Sequence, residues 1–286
     1  MKTSSFLHKR KKSIFRTAFI LIISFFFQIF LLEATVLFFP RFDKQPPYYL
    51  GKEKFDPSLS RINSVNSFIS FCDSLNGGAI ILPTDSGRYA NMVARVIKYR
   101  FVHGYTWYHL GQNYMATILA PLVHRDLSAI VVPDDILKYP KAACSQQSLI
   151  GMHVLKDKGF IIRKVGFYDS IYGGHFCYEA KYNGSWHFFD PNREPDENIL
   201  LNNGRPSIEY LNHHKDILIK AYPHDSAGFV TALYSTYSYG KEGKIPGGNA
   251  ILFQTATKFL SYSLWIFFAL LYLFLKKKFF TTKENG

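Results

Sequence analysis

The sequence predicts an α+β fold: a cysteine-bearing helix packed on an antiparallel sheet, flanked by two transmembrane helices. Three observations predict it. Two long apolar runs bracket the chain, at 14–39 and 251–275. The residues between them alternate between short helical and short β patterns. Within that middle part, Cys144 opens a helical stretch that is followed by a strand and then by a hairpin with Asn183-Gly184 at its turn.

The apolar runs come first because the whole-chain hydrophobic content of 48% averages two populations. Residues 14–39 contain FILIISFFFQIFLL, and residues 251–275 end in SLWIFFALLYLFL. A bilayer core needs about 20 apolar residues in a helix. Both runs reach that length if Gln28 and Glu33 are tolerated in the first and Lys258 snorkels in the second. A cleaved signal peptide is the competing reading of the first run, but its core exceeds an h-region of roughly 7–15 residues and no small-x-small site follows. A buried helix is the competing reading of the second, against which Lys276, Lys277 and Lys278 stop the run abruptly.

The flanks set the orientation. Lys9, Arg10, Lys11 and Lys12 precede the first run, and the Lys276–Lys278 cluster follows the second. Positive flanks stay on the cytoplasmic side. The expected organisation is a basic cytoplasmic tail at 1–13, a transmembrane helix at 14–39 and a linker at 40–60. A globular domain at 61–200 and an extension with linker at 201–250 follow on the outer or periplasmic side. A second transmembrane helix at 251–275 leads to a basic tail at 276–286. Residues 1–16 and 276–286 supply +6 and +3 of the net charge of +13, so the pI carries no nucleic-acid signal, and no zinc-finger or phosphate-loop pattern adds one.

Within the outer segment, three prolines in 41–60 disfavour a long helix or a central strand. Residues 62–75 and 89–101 fit short helices. AIILP (79–83) and 127–132 read as strands, and 103–114 (HGYTWYHLGQNY) is dense in aromatic and polar side chains. A helix over 145–158 ends at Gly159, a good C-terminal stop. FIIRKVGF (160–167), HFCYEAKY (175–182) and SWHFFD (185–190) read as three strands, the last two forming the hairpin. Residues 207–222 fit a helix, and 240–249 a linker.

A hairpin sets the start of one arm beside the end of the other. His175 and Asp190 are therefore expected as neighbours, with a bulge or a stagger taking up a mismatch of two residues. Cys144 stands at a helix start, where free amides and the helix dipole favour a thiolate. A thiolate nucleophile needs an imidazole to pair with it and to protonate the leaving group, and a carboxylate to orient that imidazole. Cys144, His175 and Asp190 fill these roles in order. The oxyanion formed on attack needs two donors. The Cys144 N–H is the first, and Gln112, Trp107 and Tyr108 are candidates for the second.

Three blocks resemble the transglutaminase-like superfamily of papain-like thiol enzymes. AACSQQSLIGMHVLKDKGFIIRKV is similar to its cysteine, helix and following strand, GGHFCYEAKY to its histidine strand, and NGSWHFFDP to its Gly-x-Trp…Asp-Pro ending. Together they span about 142–191. The resemblance implies a papain-like fold and acyl transfer to, or hydrolysis of, an amide in a peptide or protein substrate through a thioester on Cys144. It implies no metal and no organic cofactor. Crosslinking, amide hydrolysis and deamidation all stay open, with a slight lean to hydrolysis because water needs no second binding site. The oligomeric state stays open too. Cys177 stands where relatives often have an aromatic residue, and Ala142-Ala143 where they often have glycine. Both departures leave the substrate class in doubt.

Blander readings stand beside these. Cys177, His153, His187 and Trp186 each fit ordinary packing or strand positions, and His213-His214 a solvated surface. A Cys72–Cys177 bridge is conceivable on the oxidising side, although the sequence does not show it. The rival function is an inactive module of the same fold, acting as a membrane-anchored envelope-binding or assembly protein, with the 103–114 aromatics stacking on sugars.

Overall fold

The computed structural model describes residues 12–27, 29–30, 53–80, 85–193 and 195–281. The described helices and strands, in chain order, are these. Helix α1 covers 12–27 and 29–30. It is followed by α2 (Val65–Asn76), α3 (Ser86–Arg100), β1 (Val102–His103), α4 (Leu110–Val123), α5 (Pro133–Ile136), β2 (Lys141–Ala142) and α6 (Cys144–Asp157). Then come β3 (Ile161–Asp169), β4 (Gly173–Tyr182), β5 (Ser185–Phe189), α7 (Glu197–Asn202), α8 (Ile208–His213), α9 (Lys215–Ala221), α10 (Ala227–Ser235), β6 (Tyr237–Tyr239) and α11 (Gly248–Thr281). The chain divides into two compact units. One gathers residues 1–41, 108–128 and 252–286, and the other gathers 42–107 and 129–251.

The second unit is mixed α+β. Its sheet is antiparallel with strand order β5-β4-β3-β6. Helix α6 packs on β4 and β3, and residues of α7 to α10 cover the opposite face of the sheet around Val165, Phe167, Cys177 and Phe188. Residues 201–250, an extension by sequence alone, thus belong to the same unit and add the edge strand β6 beside β3. The approach of α6 to the sheet depends on Gly151. A Cβ there would come within 2.7 Å of the Tyr178 ring, so no larger residue fits without moving the tyrosine.

The β4–β5 hairpin is the predicted one. Asn183 and Gly184 have φ of 50° and 79°, the paired positive values of a type I′ turn. Because the turn is two residues long, the register is fixed, with Tyr182 opposite Ser185 and Tyr178 opposite Phe189. One step further, Asp190 falls level with Cys177, and His175 lies two residues beyond on the same face. The mismatch of two is therefore a diagonal stagger, with no bulge. Diagonal side chains remain within reach of each other across antiparallel strands.

Several expectations are corrected. Residues 127–132 form no strand: only Ala129 bridges, to Trp107, and Ile130 N–H donates to the Thr106 carbonyl, while 125–128 are a 3₁₀ turn. The helix expected over 207–222 is two short helices that meet at His214, whose φ and ψ of −119° and 65° break the spiral. Ala79 and Ile80 are not in a strand, and 81–84 lie outside the described residues.

The first unit holds helices at both apolar runs. Residues 28 and 31–39 of the first run lie outside the described residues, as do 1–11, 40–52 and 282–286 of the tails and linker. Among the described residues, no helix is long and apolar enough to cross a membrane.

Candidate active site

Cys144 is the first residue of α6. What fixes it there is Gln146, two residues on. The Gln146 Oε1 accepts from the Ala143 N–H (3.1 Å), as a glutamine at the third helical position does in a capping box. The same oxygen accepts from the Thr106 N–H (3.1 Å). Its Nε2 donates to the Thr106 carbonyl (3.1 Å), the Thr106 Oγ1 (2.7 Å) and the Ile130 carbonyl (2.8 Å). This buried side chain ties the turn that carries Cys144 to the 106 and 130 segments. The Cys144 N–H lies in the first turn of the helix, where amides have no intrahelical acceptor and stand available to an anion.

His175 comes from β4 and Asp190 from the end of β5. His175 Nε2 and Asp190 Oδ2 are 2.8 Å apart, and both residues are buried. With Nε2 turned to the carboxylate, Nδ1 is left for a thiol, and the thiols of Cys144 and Cys177 both interact with the imidazole. The structure thus brings together the three residues named from the sequence.

Asp190 is held from all sides. Its Oδ2 also accepts from the hydroxyls of Tyr234 (2.6 Å) and Tyr222 (3.0 Å), and its Oδ1 from the Arg193 N–H (3.2 Å). Arg193 is itself clamped to Asp225. Burial alone would raise the carboxyl's pKa. The facing His175 charge and these hydrogen bonds outweigh it and hold Asp190 well below the usual carboxylate range. Burial opposes the charged form of His175 too, but the Asp190 charge beside it wins and raises the imidazole well above its ordinary 6.5. The buried pair is therefore ionised at neutral pH.

Cys177 is also near. One ligand atom each of His175, Cys177 and Asp190 lie within 4.8 Å of one another, a set that could hold a metal by distance alone. Its chemistry points elsewhere. Burial, reinforced by the Asp190 charge, pushes the Cys177 thiol well up, so it stays protonated and a poor ligand. The Asp190 oxygens already hold four donors, which a metal would have to displace. Cys177 is a core residue of the α7–α10 side. All three cysteines are free thiols, so the conceivable Cys72–Cys177 bridge is not formed.

Cys144 and His175 open onto a cleft of about 380 Å³ lined also by Tyr105, Lys164, Phe176 and Thr236. Of the aromatic 103–114 stretch, it is Tyr105 that lines the cleft, its ring tilted against Trp107 at 5.3 Å. Tyr108 and Gln112, named above as candidate oxyanion donors, belong to the other compact unit. His187 and His153 play no part in that arrangement. His187 stacks on Tyr182 at 3.6 Å and meets the Arg205 carbonyl (2.7 Å). His153 lies half-buried on α6, where burial lowers its pKa.

Sequence reasoning missed Tyr222, Tyr234 and Gln146. Gln146 had a local signal, three positions after the residue that caps α6. The two tyrosines had none, since they reach Asp190 from 32 and 44 residues away. No protein-family model matches the chain, and no curated protein and no solved structure matches it.

Proposed function

We propose that the chain is a membrane-tethered thiol enzyme of the transglutaminase-like, papain-like type, acting on an amide of a peptide or protein outside the cytoplasm. The observation that carries the reading is the arrangement itself: a cysteine at a helix N-terminus and an imidazole that both line one cleft, with a buried carboxylate 2.8 Å from the imidazole Nε2. A structural cysteine requires none of these partners.

In the proposed reaction the Cys144 thiolate attacks the amide carbon, the C–S bond forms and the carbonyl electron pair moves onto oxygen, facing the Cys144 N–H. The His175 imidazolium gives its proton to the amide nitrogen, the C–N bond breaks and the amine leaves. A thioester and a neutral imidazole remain. The imidazole takes a proton from water, or from an acceptor amine, as that nucleophile adds to the thioester carbon. The C–S bond then breaks and restores the thiolate–imidazolium pair. Asp190 stays ionised throughout and holds the ring. The tether is supported by the two apolar runs with basic outer flanks, and by the exposed apolar side chains that both helices present.

Labelling selectivity tests the reading. Iodoacetamide at neutral pH, followed by peptide mapping of the full chain in detergent, is expected to modify Cys144 well ahead of Cys72 and Cys177. The preference should disappear in His175→Ala. Equal labelling of Cys144 in the two proteins would overturn the proposal and favour an inactive module of the same fold.

A further inference from the structure

The 108–128 segment leaves the α+β unit and returns to it at one place. Trp107 and Ala129, its flanking residues, pair with each other as an isolated bridge. Between them, α4 carries no charged side chain in 14 residues, LGQNYMATILAPLV. It groups with the helices of the two terminal apolar runs in the first compact unit.

That unit is built polar side in. On α11, Gln254, Thr257 and Ser261 form one stripe at helical spacing, and all three are buried. They meet α4 where its backbone departs from the helix, at Asn113 (φ −157°, ψ 75°). Asn113 Nδ2 donates to the Gln254 carbonyl (3.0 Å) and the Thr257 Oγ1 (3.1 Å). Its Oδ1 accepts from the Ala116 N–H (3.0 Å) and the Ser261 hydroxyl (3.2 Å). The Ser261 Oγ accepts from the Met115 N–H (3.3 Å), the Tyr262 hydroxyl donates to the Gln112 carbonyl (3.0 Å), and Gln254 Nε2 donates to the Leu127 carbonyl (2.9 Å). Backbone groups that the break frees are thus met by neighbouring side chains. Water would meet such groups at no cost, whereas hydrocarbon cannot, and interrupted helices in bilayers are satisfied in this way.

The opposite face is apolar and bare. Ile118, Leu122 and Val123 are 52%, 78% and 64% exposed. Exposed apolar side chains also stand on α11, with Phe259, Phe267, Leu270 and Phe274, and on α1, with Ile20, Leu21 and Phe27. The part of α4 beyond the break at Asn113, 10 residues, rises about 15 Å, short of the roughly 30 Å of a hydrocarbon core. The charged pair Arg125-Asp126 follows it closely. We infer that 108–128 is a third membrane-embedded segment: a re-entrant excursion that enters one leaflet, packs its polar seam on α11, and presents Ile118, Leu122 and Val123 to lipid acyl chains. This inference rests on the membrane tether proposed above.

The test uses the full chain with Cys144→Ser, reconstituted in vesicles of phosphatidylcholine and phosphatidylglycerol. A nitroxide is attached in turn at Leu122→Cys, at Leu270→Cys on α11, and at Ile171→Cys on the exposed β3–β4 turn of the α+β unit. Relaxation by oxygen, which concentrates in hydrocarbon, is compared with relaxation by a water-soluble nickel chelate. The expected result is a severalfold higher oxygen-to-nickel ratio at 122 and 270 than at 171. A high ratio at 270 with 122 matching 171 overturns the inference and leaves the tether standing. Ratios at all three positions alike overturn the tether and the inference together. Protection of 122 from both reagents assigns the face to a second copy of the chain and also overturns it.

Discussion

Both units of the molecule bury polar side chains, and they do so for opposite reasons. In the α+β unit, four donors converge on one buried carboxylate, Asp190, which accepts from His175, Tyr222, Tyr234 and the Arg193 amide. In the helical unit they are spread along a seam, Asn113 against Gln254, Thr257 and Ser261, while large apolar residues face outward. Convergence on one ion orients and charges the imidazole beside it. A seam replaces backbone hydrogen bonds and holds helices together. Substitutions in the two regions should therefore separate reactivity from stability.

Asp190→Asn has the largest expected effect. It leaves a buried imidazolium and two tyrosine hydroxyls without their anion, and breaking a buried ion pair costs about 3–5 kcal/mol. Urea unfolding should register that loss, and Cys144 alkylation at neutral pH should fall with it. Asn113→Ala comes next. It strands donors and acceptors in the helical seam at about 1–3 kcal/mol each. In detergent, the helical unit should melt earlier while the alkylation rate of Cys144 stays unchanged. A fall in that rate would break the separation of roles. Gly151→Ala forces a Cβ against Tyr178, an overpacking cost of about 1–3 kcal/mol read as a lower urea midpoint. Tyr234→Phe is the smallest, removing one of the donors to Asp190 for about 1 kcal/mol. It should also move the acid loss of stability to higher pH, because the hydroxyl helps hold Asp190 ionised, which a hydroxyl packed without that bond would not do.

The charged pair also has a pH signature. His175 is raised above its ordinary 6.5, so its contribution to stability is complete below 6.5 and is lost as pH climbs through the higher folded-state value. Asp190 is lowered from 3.8, so its contribution is complete above 3.8 and is lost only as pH drops through its lower folded-state value. The difference in urea midpoint between the native chain and His175→Ala should be greatest between 3.8 and 6.5 and shrink on the alkaline side. A difference that grows with pH would contradict the assignment of charges.

The parts legible in the sequence were those fixed locally. Asn183-Gly184 dictates a two-residue turn. The turn dictates the register, and the register puts His175 and Asp190 on one face. Gly159 ends the helix that Cys144 begins, and it does so with a φ of 87°. The illegible parts depend on distant chain. Whether 127–132 becomes a strand turns on a partner, and Thr106 and Trp107 offer only a bridge and one hydrogen bond. Tyr222 and Tyr234 sit on short helices with no pattern pointing at Asp190. The aromatic 103–114 stretch reads as one block, yet it divides between the two units at Trp107 and Tyr108 because Asn113 finds its partners on α11.

The central claim is that Cys144 and His175 form an ion pair held by Asp190. The most direct test is the alkylation rate of Cys144 as a function of pH, in the native chain and in His175→Ala, with Cys72 and Cys177 mapped separately. A native rate at neutral pH well above that of the variant is the predicted result. A native Cys144 that reacts no faster than the variant's, or that never reacts while the protein is folded, would contradict the account.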